Sequence, residues 1–369
     1  SAASLNLPGD FHAPSGDAAD QAELATWWTR FNDPVLSALV DKAIKNNNNL
    51  AAAQARLRAA RAALRAAHGS QLPSLNGSGS VTRQQTLRGS NGGISVIPGG
   101  GGGGQGFNVG NGSTIFQTGF DASWEADIFG GLRRTAQAAR ATMENSAATL
   151  ANVQASLVSE VGTNYIAARQ AQARLAVARA NLAIQDNTVQ IVRWREQAGL
   201  IGNLDLQQAI AQRAQTAANL PTLEQNFETA ANAISVLLGE APGAVSDQLG
   251  AAQPIPLGPD NVEAGLPAEL LSRRPDVIAA ERTLAAEVAR IGVAQAQLYP
   301  ALRLSGTINT TARNSLNDLG SSIIGNLLGS LSAPIFQGGR LRAQVDQQRA
   351  TADAALATYR GTVLTALQD

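Results

Sequence analysis

The sequence predicts a mixed α and β membrane protein. Each chain gives four strands to a transmembrane β-barrel, which long coiled-coil α-helices continue, and the whole is built by internal duplication. Three observations carry this reading. Residues 116–128 alternate between apolar or small and polar side chains without an error. An alanine-rich helical pattern longer than a globular core accommodates follows at once. The first half of the chain then returns, in order, in the second.

Composition narrows the function classes. The chain has 369 residues, of which 44% are hydrophobic but only 4% aromatic. Alanine-rich helices pack in thin layers rather than thick cores. The 28 basic residues balance 28 acidic ones, so no basic patch points to nucleic acid as a partner. No cysteine is present, which excludes disulfides, thiolate catalysis and cysteine-based zinc sites. No apolar run approaches the roughly 18 residues of a membrane-spanning helix. A membrane protein of this composition must therefore be built from strands.

Residues 1–48 read as a Pro/Gly/Ser-rich arm and a first helix, which ends in the break Asn46-Asn47-Asn48-Asn49. A first repeat is expected over 49–243. It opens with a helix stopped by Gly69 and Pro73, followed by a strand pair at 75–84 and 115–129 around a Gly-rich loop that includes Gly99–Gly104. In the second strand Phe116, Thr118, Phe120, Ala122, Trp124, Ala126 and Ile128 share one face. Gln117, Gly119, Asp121, Ser123, Glu125 and Asp127 share the other, the mark of a strand with one apolar and one wet face. Gly130-Gly131 ends it. A long helix is expected over 131–198, roughly 100 Å at 1.5 Å per residue. Its apolar positions Leu150, Val153, Leu157, Val161, Tyr165 and Ala168 step by three and four, as in a coiled-coil seam. A tip at 199–203 and a helix over 204–238 complete the repeat, and a Pro-rich linker spans 244–270.

The second repeat is expected over 271–369. Displaced by 227 positions, Leu50 falls on Val277, Leu57 on Leu284, Pro73 on Pro300 and Gly79 on Gly306 without a gap. Its strand pair is expected at 301–312 and 327–335, and "IFQGGRLR" (Ile335–Arg342) mirrors "IFGGLRR" (Ile128–Arg134). Arg140-Ala141-Thr142 matches Arg349-Ala350-Thr351, which makes this repeat incomplete at its C-terminus. The gene product is expected to continue for about 80 residues more.

Strands of about ten residues, apolar outside and polar inside, match a barrel wall in lipid. Four cannot close a barrel, and open edges are not tolerated in a membrane, so several chains must contribute.

These features resemble the TolC-like outer-membrane efflux proteins, especially the NodT-type efflux lipoprotein branch. The resemblance rests on "WWTRFNDPVLSALVDKAI" (Trp27–Ile44), "SWEADIFGGLRR" (Ser123–Arg134) and "AGLIGNLDLQQA" (Ala198–Ala209). "LLSRRPDVIAAERTLAAEVARIGVAQAQLYPALRLSG" (Leu270–Gly306) and "APIFQGGRLRAQVD" (Ala333–Asp346) extend it to nearly the whole chain. It implies a homotrimer with a twelve-stranded outer-membrane barrel, an α-helical tunnel in the periplasm, and docking to a periplasmic adaptor and an inner-membrane pump. Many members of this branch carry a lipidated cysteine at the mature N-terminus; these 369 residues contain none.

At the tip, Gly199 permits a left-handed helix end and Asn203 can cap the next helix. Turn chemistry alone does not explain Leu200 and Ile201, apolar side chains at an exposed reversal. The resemblance makes Gly199, Leu200 and Ile201 the adaptor contact. Asp205 has two readings. It favours a helix N-terminus, and the resemblance gives it a part in the polar links that close the tip as a gate.

Other motifs carry less. Gly99–Gly104 lies mid-loop, not between a buried strand and a helix as a phosphate cradle requires. His12 and His68 have no partner at ligand spacing, so no catalytic residue, metal or cofactor is expected. Trp27-Trp28 with Phe31 reads as packing, with a ligand platform as the alternative. Arg274-Pro275-Asp276 reads as a helix start. The favoured function is a passive, non-enzymatic exit duct for efflux of small molecules or drugs. A type I protein secretion channel and a soluble coiled-coil scaffold are the alternatives.

Overall fold

A computed structural model of the chain describes residues 26–84, 113–258, 271 and 273–369. The N-terminal arm, the Gly99–Gly104 loop, His12 and part of the linker lie outside the described residues. The chain forms two compact units, one of residues 1–61, 142–283 and 356–369, the other of residues 62–141 and 284–355. Most of the described residues are helical, and the strands among them form one four-stranded sheet.

In the first unit a 3-10 turn (Trp27–Phe31) leads to α1 (Pro34–Asn46). Asn32 adopts a left-handed conformation there, and Asp33 starts a new helix by accepting the backbone N–H groups of Val35 and Leu36 at 2.8 and 3.1 Å. The asparagine break is reduced to Asn47. Its side-chain oxygen caps α2 (Asn48–Gly69) through Leu50 N, while its amide donates to the Leu237 carbonyl. The core joins α1 to the long helix α3 (Gly131–Gln197), the helix α4 (Asn203–Leu237) and the short α5 (Ser246–Leu249). Leu157, Val161, Tyr165 and Ala168 of the expected seam are buried in it, with Leu150 and Val153 packed at its margin.

The Tyr165 hydroxyl and the Arg169 guanidinium are among the polar groups set inside this core. The Tyr165 hydroxyl donates to Asp33 Oδ2 at 2.6 Å and so holds the carboxylate that caps α1. Arg169, 1% exposed, lies over the Tyr165 ring and donates to the carbonyls of Leu249 and Ala251. Burial, and then the Asp33 hydrogen bond, raise the Tyr165 pKa above its usual 10.0. The neutral phenol is thus favoured by folding. Its contribution is fully present below pH 10 and is lost as the pH rises through the raised value. Tyr165→Phe is expected to cost about 1 kcal/mol at neutral pH. It should also flatten the fall in melting temperature above pH 10; an unchanged alkaline profile would contradict the assignment.

In the second unit β1 (Ser74–Gln84), β2 (Ser113–Ala126), β3 (Ala301–Arg313) and β4 (Ile323–Ser332) pair in chain order, every pair antiparallel. β2 ends before the expected 129 because Asp127 turns to the start of α3, where its carboxylate accepts the N–H groups of Leu132 and Arg133. β4 lies earlier than the expected 327–335. Pro334 has no N–H to give to a ladder, and Ile323 pairs with Thr310 to begin the strand. In the same unit the end of α6 (Pro275–Ala296) packs on the first turns of α3. A Cβ on Gly292 would lie 2.9 Å from the Arg134 side chain, so glycine there admits the arginine stem. The last helix, α7 (Arg340–Gln368), is tied to α6 by a Gln348–Glu287 hydrogen bond.

Gly119 fixes the approach of β2 to β3, because an added Cβ would lie 2.6 Å from the Ile308 carbonyl oxygen. Gly119→Ala is therefore expected to destabilise the sheet by about 1–3 kcal/mol, the usual cost of overpacking. Chemical denaturation should show it, and an alanine variant as stable as the parent would contradict so close an approach.

Candidate functional site

The sheet shows why alternation matters. Strand register places Phe120 beside Ile308 and Gly77, Trp124 beside Leu304, and Leu327 beside Gly306. The apolar sets of all four strands therefore share one face. Phe120, Ile308 and Leu327 on that face are 60%, 58% and 87% exposed. Among the described residues no helix covers them. Glycines recur there against bulky neighbours: Phe120 covers Gly77 and Leu304 covers Gly329, each at 3.4 Å from an added Cβ. The opposite face carries a Glu125–Arg303 ion pair at 2.9 Å, with Asp121 bonded to Ser78 and Ser74 to Ser123. Ile115, Ile324 and Leu328 interrupt that polar face. In β4 both faces carry apolar side chains, so its sequence shows no two-residue period.

The tip lies in the other unit. Leu200 N bonds to the Arg195 carbonyl at 2.9 Å and Gly199 N to that of Glu196 at 2.8 Å, a Schellman closure of α3. Gly199 has φ +72°, a conformation that L side chains rarely adopt, although nothing lies within 4 Å of an added Cβ. Leu200 is 71% exposed and Ile201 half-buried. Gly202, in extended backbone, takes the N-cap position of α4, so Asn203 is not the cap. As the first helical residue, Asn203 instead accepts a bond from Gln207. Asp205 stands exposed in the first turn of α4; its N–H donates to the Gly202 carbonyl at 3.2 Å, and its carboxylate has no hydrogen-bond partner among the described residues.

The tip carries more exposed apolar surface than the reading of its turn revealed. Leu204 and Trp194 flank it, and Val177, Ile184 and Ile191 lie exposed along α3. The last three recur every seven residues, a coiled-coil signal present in the sequence. They face away from α4, to which α3 is tied by ion pairs Arg179–Glu224 and Arg213–Asp186. The aromatic cluster proves to be packing: Trp28 is buried in the core, with Trp27 edge-on to Trp28 and Phe31. Arg274-Pro275-Asp276 starts α6 as read. Its arginine also pairs with Asp276 at 2.9 Å, which holds that carboxyl below its usual range.

The sequence matches the family described as outer membrane efflux protein over residues 39–240 and 266–369. The chain belongs to that family. This outer membrane efflux protein is 32% identical over 365 residues to nodulation protein T of Rhizobium leguminosarum bv. viciae, spanning 98% of this chain and 71% of the relative. It is 33% identical over 366 residues to the pyoverdine export outer membrane protein OpmQ of Pseudomonas aeruginosa, spanning 99% and 74%. Among solved structures, the outer-membrane channel OprN matches with a TM-score of 0.81 at 33% identity, over 98% of this chain and 80% of that one. CusC, described with transmembrane channel formation, matches with a TM-score of 0.77 at 26% identity, over 98% and 78%. The efflux protein resides in the outer membrane and serves as an exit duct of tripartite efflux pumps.

Proposed function

We propose that three copies of this chain set their sheets edge to edge as a twelve-stranded barrel in the outer membrane. Their helices form a periplasmic tunnel through which small molecules leave. The observation that carries this reading is the sheet itself. Its apolar face is exposed among the described residues and its outer strands β1 and β4 have unpaired edges. Lipid satisfies the face, and only closure satisfies the edges. Residues 1–48, 49–243, 244–270 and 271–369 are an arm with its helix, a first repeat, a linker and a second repeat. A periplasmic adaptor meets the tip at Gly199, Leu200 and Ile201 and links the duct to an inner-membrane pump. Asp205 holds neighbouring tip helices by a polar link, as its exposed carboxylate, unpartnered among the described residues, allows. The conduction path needs no cofactor, metal or catalytic group, since the pump drives transport and the duct only shapes its exit.

Complementation tests the reading. In a host that lacks its own outer-membrane duct and is supplied with the cognate adaptor and pump, the full-length protein should restore growth on a toxic pump substrate. Growth no better than that of the empty host, with the protein present in the outer membrane, would contradict it.

A further inference from the structure

The apolar face of the sheet is not evenly filled. Across the four strands Leu75, Ala122, Gly306 and Leu327 stand in one row, and Gly77, Phe120, Ile308 and Gly325 in the next. The first row is tall at its ends and low in the middle. The second is tall in the middle and low at its ends. The small residues therefore join into an oblique trough of about 380 Å³, which passes from Ala122 over Gly306 and between Ile308 and Leu327 to Gly325. Leu75 and Phe120 wall its other end.

Neither packing nor backbone demands the two glycines on its floor. An added Cβ on Gly325 meets nothing within 4 Å, and one on Gly306 makes only ordinary contacts of 3.8 Å with Asn326 and Leu327. Neither glycine has a positive φ. They differ in this from Gly119, where the next strand leaves no space. Strand interiors favour β-branched residues, and a glycine there without a structural reason marks the close approach of something else.

That something comes from the membrane. Among the described residues no helix is long and apolar enough to cross one, so the sheet carries the lipid contact of this outer-membrane protein. A second copy adds at the edges β1 and β4, in the plane of the sheet, and leaves the trough open. The trough lies in the half of the sheet nearest the helices: Leu75 is the second residue of β1, and Ala122 stands four residues before the end of β2. We infer that it seats one acyl chain of a phospholipid from the periplasmic leaflet. This rests on the proposed orientation, with the sheet in lipid and the helices in the periplasm, and adds a lipid held at one place on each chain. In lipid the gain comes from close van der Waals contact rather than from leaving water. No charged side chain lines the trough, so the acyl chain is recognised and the headgroup is not.

Filling the trough tests this. Gly325→Val and Gly306→Val each put methyl groups on its floor, and either folded variant decides. Thr118→Ile adds apolar bulk to the same face outside the trough. Full-length protein is reconstituted in vesicles of phosphatidylethanolamine and phosphatidylglycerol, extracted in mild detergent and weighed by native mass spectrometry. The parent and Thr118→Ile should retain up to one phospholipid per chain, of either headgroup. The two valine variants should retain about tenfold less. Parental retention by the valine variants, equal loss from Thr118→Ile, or no lipid on the parent would overturn the trough. Brominated phospholipid separates this outcome from the underlying reading. Trp124 lies on the same face, so its fluorescence should be quenched in all four proteins. A parent whose Trp124 is not quenched would overturn the lipid-facing wall as well.

Discussion

Ile308→Arg is expected to abolish or severely reduce insertion of the sheet, whereas Thr307→Arg is expected to be tolerated. The two residues are neighbours at one depth of β3 and differ only in the face they occupy. Ile308 lies beside Phe120 on the exposed apolar face, and Thr307 lies beside Asp121 on the polar one. An arginine on a lipid-facing strand costs about 2–4 kcal/mol at the bilayer midplane. One inside a polar lumen gains a carboxylate neighbour instead. In a three-fold assembly the cost recurs in every copy, so the loss exceeds that of a single site. Folded, heat-resistant oligomer in the outer-membrane fraction is the readout. Equal loss from both variants would mean that the two faces meet the same surroundings.

The second large effect is expected at the tip. Leu200→Asp keeps Gly199 and hence the left-handed closure of α3, but puts a charge where an apolar side chain is 71% exposed. Export should fall to the level of a strain without the duct, and crosslinking to the adaptor should disappear with it. Assembly in the membrane should remain, because the substituted side chain takes no part in the core. Gly199→Val should give the same loss by another route. A β-branched residue at φ +72° costs about 1–3 kcal/mol of backbone strain and disorders the turn that presents Leu200. Export and crosslinking at the parental level in both variants would reduce the tip to a turn.

How much of this was legible depended on where each signal lies. β2 could be read residue by residue because each side chain meets one of two opposite surroundings, and alternation records the choice. β4 could not. Ile323-Ile324 and Leu327-Leu328 put apolar groups on both faces, so the expected 327–335 starts several residues too late and runs through Pro334, where the ladder has already ended. The tip glycine was legible because a left-handed helix end nearly demands it. Asn203 misled, since a good capping residue stood one place past the glycine whose extended backbone takes that position. The stripe Val177, Ile184 and Ile191 was visible at seven-residue spacing but overshadowed by the buried seam earlier in the same helix. Arg169 left no trace in sequence. Besides the side-chain amides of Gln172 and Gln253, its acceptors are the main-chain carbonyls of Leu249 and Ala251, about eighty residues away, and any residue supplies a carbonyl.

The central claim is that one chain carries only a third of a closed wall whose outer face is lipid. Native mass spectrometry of the protein released from mild detergent micelles tests it most directly. The protein should appear in assemblies of three copies, and removal of detergent should precipitate it. A monomer or a dimer in detergent, or a folded, monodisperse species in water without detergent, would contradict the account.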